Sequence, residues 1–330
     1  MDTNNSKRKI SQGTSTILFL VLFIAVFGAI LSFATPNFLT SYNIGIIVKQ
    51  MAFIGVAALG QTLVLILGGI DLSIGSTACL GGIFFALAMT KANMNPVIAI
   101  ILCVLAGCAM GWINGLFITK LKLHPFIVTL AASNIQAGLV LVITQGFTVS
   151  GISGPVLTLG QGMVGSVPVP TLVFLLLAVI LWYVLQFTPL GREWFAIGGN
   201  EAASKLVGIR VESRKRLVYL LSGGFSAFAG IMVACRYNSG QPTIGETWVM
   251  STITAAVIGG TSMAGGVGSV LGTVVGSLLI QLLSNSIVML NISQYWEKAV
   301  IGAVVLLAVV IDAVRTMGRD KKMTKRRQVK

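Results

Sequence analysis

The stretch PVIAIILCVLAGCAMGWINGLFI, residues 96–118, carries no charged side chain over a length that crosses a bilayer as a helix. Its apolar residues run on continuously instead of alternating, which excludes a strand of a membrane barrel and leaves a helix. Lys91 and Lys120 stand outside its two ends. Outward from it, runs of the same kind fall at about 15–34, 44–67, 75–90, 126–144, 170–188, 217–236, 247–262, 269–290 and 297–314. The expected fold is an all-α polytopic membrane protein with about ten transmembrane helices. Three segments follow: a cytoplasmic N-terminal piece over 1–14, a transmembrane domain over 15–314 with a cytoplasmic loop at 189–216, and a basic cytoplasmic tail over 315–330. The run from Ser15 is too long for a signal-peptide core, has no small-x-small cleavage site, and is followed by Pro36-Asn37-Phe38.

Composition excludes the alternatives. Hydrophobic residues make up 55% of the 330 and charged residues 10%, where a soluble domain carries about a quarter charged. A soluble enzyme could not keep such a surface wet, and a disordered chain needs low hydrophobicity. The net charge of +14 would suit nucleic acid in a soluble protein, but its distribution follows membrane topology. With the N-terminus inside, nineteen of the 23 basic residues fall in cytoplasmic segments, and Lys49, Lys91, Arg236 and Lys298 fall outside. Both termini are then expected in the cytoplasm, and nucleic acid is not an expected partner. The eight basic residues of the tail suit anionic lipid or simple anchoring of the last span.

Enzyme chemistry finds no purchase. The dipeptide Gly-Lys never occurs, so the chain has no phosphate-binding loop, and any ATP must be bound by another chain. The single histidine, His124, sits in a basic connector before Pro125, which makes no metal site. Cys79, Cys103, Cys108 and Cys235 lie in apolar runs and read as buried free thiols. No cofactor or metal is expected.

Two polar features remain. Asp71 is the only carboxylate between Asp2 and Glu193, set in Gly68-Gly69-Ile70-Asp71-Leu72-Ser73-Ile74-Gly75 between two spans. A carboxylate at membrane depth is a functional candidate, as a relay or as part of a solute path. It also reads as a cap, with Asp71 or Ser73 accepting the free N–H groups that open the third span. The second feature is Gly198-Gly199-Asn200-Glu201-Ala202-Ala203-Ser204-Lys205-Leu206-Val207-Gly208, inside the longest polar connector. It reads as a complete short helix, with Asn200 as N-cap, Glu201 and Lys205 complementing the dipole, and Gly208 just past the end. Two turns do not hold alone in water, so something must dock on it. Ala202, Ala203 and Leu206 would share the docking face, with Glu201 and Lys205 at its rim.

Glycines also repeat one turn apart, as Gly107, Gly111 and Gly115 in span four and Gly268, Gly272 and Gly276 at span nine. Such spacing lets backbones approach and predicts that both spans pack inside the bundle. A second echo, Gly68-Gly69…Gly75-Ser76 against Gly259-Gly260…Gly268-Ser269, implies a different offset, so an internal repeat stays open.

Four motifs in order, Gly-Gly-Ile-Asp-Leu-Ser-Ile-Gly at 68–75, Pro-Leu-Gly-Arg at 189–192, Gly-Gly-Asn-Glu-Ala-Ala at 198–203 and Gly-Gly-Thr-Ser-Met-Ala-Gly-Gly-Val-Gly at 259–268, resemble the ribose-type permeases of bacterial sugar ABC importers. The resemblance runs from about Asn37 to Asp312. It implies an inner-membrane permease subunit that is not itself an enzyme. A cytoplasmic ABC ATPase, a periplasmic sugar-binding protein and a second permease subunit, identical or different, would be its partners. The segment from Gly199 to Gly208 would then be the coupling helix that enters a groove on the ATPase. Related permeases move ribose, other monosaccharides, a furanosyl signalling molecule or, more distantly, branched-chain amino acids. Gln61 stands where the family more often has an apolar residue. An ion-coupled secondary transporter that uses Asp71 as its relay is the rival from another class.

Overall fold

The structure, a computed structural model, describes residues 12–293, 295–307 and 310. The expected tail 315–330 and most of the N-terminal piece 1–14 lie outside those residues. Helices α1 (Gln12–Ala34), α2 (Ser41–Ile66), α3 (Ile74–Thr90), α4 (Pro96–Lys120) and α5 (Pro125–Thr144) come first. A long connector follows, with strand β1 (Val149–Ser150), a 3₁₀ turn (Pro155–Leu157), the one-turn α6 (Thr158–Gln161) and the hairpin β2 (Met163–Val164) and β3 (Val167–Pro168). Then come α7 (Val169–Phe187), α8 (Pro189–Gly199), α9 (Glu201–Leu206), α10 (Val211–Tyr237), strand β4 (Ser239–Gly240), α11 (Trp248–Ile258) and α12 (Val270–Met289). Helix resumes over 295–307.

Local signals set the starts of these helices. Thr40 caps α2 by accepting from Asn43 N–H, Asn95 caps α4 ahead of Pro96, and Ser269 caps α12 by accepting from Gly272 N–H. His124, expected as a connector residue, caps α5: its Nδ1 accepts from Phe126 N–H at 3.3 Å.

Seven of the described helices are long and apolar enough to cross a membrane, and α3 and α11 are shorter apolar helices. The chain is a multi-pass membrane protein, and the count of about ten spans is approximate. The clearest departure is the expected crossing at 247–262, where α11 covers only Trp248–Ile258. The chain that leads into α11 is irregular. Residues 239–247 run down the side of α3, with Gly240 against Gly82 and Ala86, the Gln241 and Pro242 carbonyls near the Cys79 thiol, and Gly245 against Gly75. Irregular backbone of this kind survives beside membrane helices when protein surrounds it.

Helix α10 is the centre, with α4, α3 and α2 packed around it, and α2 in turn meets α7, α11 and α12. The largest core cluster joins Phe53, Leu63 and Ile66 of α2 to Phe174 of α7, Trp194 of α8 and Tyr219 of α10. Span four is not inside the bundle as its glycines suggested. Its buried stripe is Ala99, Cys103, Gly107, Gly111, Asn114, Gly115 and Ile118, while Val97, Ile101, Leu102 and Leu105 are exposed. The glycines therefore serve one face. A Cβ on Gly111 would overlap the Tyr219 carbonyl oxygen, and one on Gly115 would sit 2.9 Å from Arg216 Cα. The matching stripe on α12 serves another partner, with Gly272 against Gly259 and Gly276 against the Ala255 carbonyl.

The connector between α5 and α7, which has no charge and no recognised motif, is tied to the end of α10. Strand β1 pairs antiparallel with β4, Val149 opposite Gly240, and Gln161 Nε2 donates to the Cys235 and Arg236 carbonyls at 3.1 and 3.0 Å.

Because the backbones of α4 and α10 approach closely at Gly111, Gly111→Val should push the two helices apart. The expected cost is about 1–3 kcal/mol or more, as for overpacked cores, read as a lower Tm of the purified protein in detergent. Gly138→Ala in α5, where a Cβ meets nothing within 4 Å, should leave Tm unchanged.

Candidate functional site

Three glycine-rich motifs that are far apart in sequence meet at one point. The Ile66 carbonyl at the end of α2 accepts from Gly266 N–H at 2.8 Å. A Cβ on Gly198, at the end of α8, would overlap that same carbonyl oxygen. One on Gly265 would lie 2.7 Å from the Gly198 carbonyl and 2.9 Å from Gly68 N, and one on Gly266 would lie 2.8 Å from Gly199 Cα. The ends of α2 and α8 and the turn at 262–268 thus touch backbone to backbone. Gly265 and Gly266 have φ of +86° and +71°, which no other residue type adopts without strain.

The next residues after this junction form the short helix read from the sequence. Helix α9 spans Glu201–Leu206, and the Asn200 side chain accepts from Ala203 N–H at 2.9 Å. Gly208, with φ +84°, follows its end. Ala202, Ala203 and Leu206 are all exposed, and only Ser204 of the helix is buried. Leu206 is 89% and Val207 77% exposed. Val207, the C-cap of the helix and four residues after Ala203, extends this apolar face. Glu201 pairs with Lys205 at 2.8 Å and with Lys215 at the start of α10. Hydrogen bonds from Lys205 and then Lys215 hold the Glu201 carboxyl below its ordinary range, and the bond to Glu201 raises Lys205. Both therefore stay charged around neutral pH, and they flank the apolar face as a rim.

Helix α8 was not resolved from the sequence, where 189–216 read as a polar connector with one short helix. Thr188 caps it ahead of Pro189, and Trp194 and Ile197 are buried in the main core. The pattern Leu190, Trp194, Ile197 at i, i+4 and i+7 was the available signal. Its consequence is mechanical: α8 is anchored, α9 is presented, and the Arg214–Glu193 ion pair adds a link from α8 to α10.

Asp71 is 2% exposed and fully engaged. Its Oδ1 accepts from Ser73 N–H at 2.9 Å and Ser73 Oγ at 2.6 Å, and its Oδ2 accepts from Ser222 Oγ on α10 at 2.8 Å. Ser73 Oγ in turn accepts from Asn114 Nδ2 on α4 at 3.0 Å. Ser73 makes no side-chain cap to α3. The capping expectation is corrected in detail: Asp71 closes a tight turn before α3 and ties that turn to α10 and, through Ser73, to α4. Gly69 leaves room for the Tyr219 hydroxyl, which would be 2.5 Å from a Cβ there. Gly68 has φ +75°. The Tyr219 hydroxyl and the Gln61 amide are buried with no hydrogen-bond partner among the described residues. Those residues contain no group of three or more His, Cys, Asp or Glu able to hold a metal.

The geometry is that of a bundle of apolar helices with a capped, exposed helix at one end, joined backbone to backbone to the ends of the crossing helices. Comparison with known proteins places it further. Residues 43–309 match the family described as branched-chain amino acid transport system / permease component. The chain belongs to that family, and its relatives include sugar import permeases. It is 42% identical to the ribose import permease protein RbsC of Bacillus subtilis over 89% of this chain and 91% of that protein. Identity is 36% to RbsC of Escherichia coli K12, over 93% and 95%, and 33% to the D-allose transport system permease protein AlsC of the same strain, over 90% of each. No solved structure matches the chain.

The Asp71 network implies a graded response to substitution. Asp71→Asn keeps an acceptor for Ser73 and should retain measurable uptake at normal membrane levels. Asp71→Leu leaves the Ser73 N–H and the Ser222 hydroxyl unpaired at about 1–3 kcal/mol each, and should assemble poorly when purified in detergent. Loss of uptake by Asp71→Asn at normal levels and assembly would instead mark a direct role in transport.

Proposed function

We propose that this chain is the permease subunit of an ATP-driven ABC importer that carries a ribose-like monosaccharide across the bacterial inner membrane. It is not itself an enzyme: ATP is bound and hydrolysed by a separate cytoplasmic ATPase, and the chain holds no cofactor. A periplasmic sugar-binding protein delivers the solute, and a second permease subunit completes the path. Both termini face the cytoplasm, in line with the bias of basic residues. The observation that carries this reading is the junction of Ile66, Gly198 and Gly266. It joins an exposed, capped helix to the ends of membrane helices, as a device for passing force from a docked ATPase needs. The ribose and allose permeases among the relatives support the substrate class.

Coupling rests on Gly199, Asn200, Glu201, Ala202, Ala203, Leu206 and Gly208. An exposed Leu206 beside Val207 is unfavourable in water, and covering such a side chain is worth about 1.5–3 kcal/mol. Asp71, Ser73, Gly68 and Gly69 shape the turn beside the path and carry no proton. Uptake of labelled ribose should therefore persist when the proton gradient is collapsed and ATP is retained. A secondary transporter that uses Asp71 as its relay would stop.

Ala203→Trp places an indole on the docking face without touching the membrane core. The expected result is loss of ATPase co-purification, or of transport-linked hydrolysis, with the permease inserted at normal levels. Glu201→Lys should give a milder defect, because an exposed rim charge contributes about 0–1 kcal/mol. Normal ATPase binding and transport by Ala203→Trp would sink the coupling assignment.

A further inference from the structure

At the end of α10 away from α9, a cavity of about 320 Å³ opens between α2, α10, α11 and α12. The 27 residues of α10 set it roughly 40 Å from the coupling helix at 1.5 Å per residue. Its volume falls in the range of roughly 300–1,000 Å³ that holds small molecules. Part of its wall is the irregular stretch at 243–247, and non-helical backbone inside a membrane protein belongs where protein buries it or where it lines a polar passage.

The lining has the chemistry of a site for an uncharged polyol. Gln50 of α2 and Gln281 of α12 pair through their amides across the cavity wall. Gln281 is 4% exposed, and a buried amide in an apolar helix is costly unless it has work to do. An amide offers a donor and an acceptor side by side, which matches neighbouring hydroxyls. Phe53 and Trp248, both mostly buried, give the lining aromatic, apolar walls that suit the C–H side of a sugar ring. The Arg236 guanidinium lies over the Phe53 and Tyr237 rings, 5.6 and 5.5 Å from their centroids, and Glu246 and Glu297 stand at the rim. No single sign of charge dominates.

Three of the walls also join the coupling junction. Helix α2 carries Gln50 and Phe53 and ends at Ile66, whose carbonyl holds Gly266 and meets Gly198. Helices α11 and α12 carry Trp248 and Gln281 and flank the turn that contains Gly265 and Gly266. A displacement at the coupling junction is therefore transmitted through rigid helices to three of the four walls.

We propose that this cavity is a sugar subsite within the permease, where Gln50, Gln281, Phe53 and Trp248 hold a neutral monosaccharide between its release by the binding protein and its passage inward. The proposal rests on the import reading above and adds to it the residues that contact the solute. The test uses the full complex of permease, ATPase and binding protein in proteoliposomes, with D-ribose as the probe and leucine as a second one. Gln281→Leu keeps the shape but removes the amide, and should cut ribose moved per ATP hydrolysed by about tenfold, a loss of about 1.4 kcal/mol. Binding-protein-stimulated hydrolysis and subunit assembly should be unchanged, and Gln281→Asn should recover part of the loss. Ser284→Trp, at a half-buried lining position, fills the cavity from its wall and should block ribose in the same way, which decides the matter if Gln281→Leu fails to assemble. Ribose moved per ATP at the unsubstituted ratio in either variant overturns the subsite. An unsubstituted complex that hydrolyses ATP but accumulates leucine, or nothing, in place of ribose overturns the import reading instead.

Discussion

One close contact between backbones joins α2, α8 and the turn after α11. The Ile66 carbonyl, the end of α8 at Gly198 and the turn at Gly265 and Gly266 lie so near one another that a single methyl group at Gly198 would overlap its neighbour. Contact of this kind transmits displacement with little slack, because close-packed interiors resist compression and pass strain on. A longer side chain at the junction would fold into a rotamer and absorb part of the motion. Glycine keeps three elements in register and also permits the positive φ that the turn requires.

The Asp71 network is the second constraint, and it explains why a charge-bearing group is tolerated in a chain so poor in them. Its three hydrogen bonds come from two serines, with a fourth bond from Asn114 locking Ser73. A buried carboxylate without such partners would be among the most costly groups in the molecule. With them, it pins the turn between α2 and α3 to the central helix, so the junction at the end of α2 has a fixed base. This arrangement supports a structural part for Asp71. A relay would need a route by which a proton arrives and leaves, and both carboxylate oxygens are already taken by hydroxyl and amide donors.

Much of the fold was legible because apolar runs in membrane helices leave little else for the chain to do. Helices α2, α4, α5, α7, α10 and α12 lie where the runs placed them, and the capped helix at Glu201–Leu206 matched its caps almost residue for residue. The failures share one cause. Hydropathy measures burial and not backbone geometry, so the glycine turn after Ile258 was counted with α11, which was read too long. Periodicity shows which residues share a face but not what covers it, so the glycine stripe of α4 looked like deep burial when it serves one neighbour. The amphipathic α8 was lost because its short pattern of Leu190, Trp194 and Ile197 is interrupted by charges that face away from the core. The cavity could not be read at all, since Gln50, Trp248 and Gln281 come together only after three distant helices have packed.

The two glycine echoes take on a common meaning in three dimensions. Gly68-Gly69 follows α2, and Gly259-Gly260 follows α11; Gly68 and Gly260 both carry positive φ, at +75° and +95°. The turn after α11 continues to Gly265, which packs against Gly68, so the two glycine-rich turns face each other at the coupling junction. The helices joined to them enclose the cavity at their other ends. A similar sequence therefore recurs because the same mechanical demand recurs: a tight, unbranched turn where crossing helices must meet a third backbone. The glycine stripes of α4 and α12 meet the same demand, bringing different helix pairs into close contact. What the chain repeats is a solution to close approach, used at the places where helices meet and where force must pass between them.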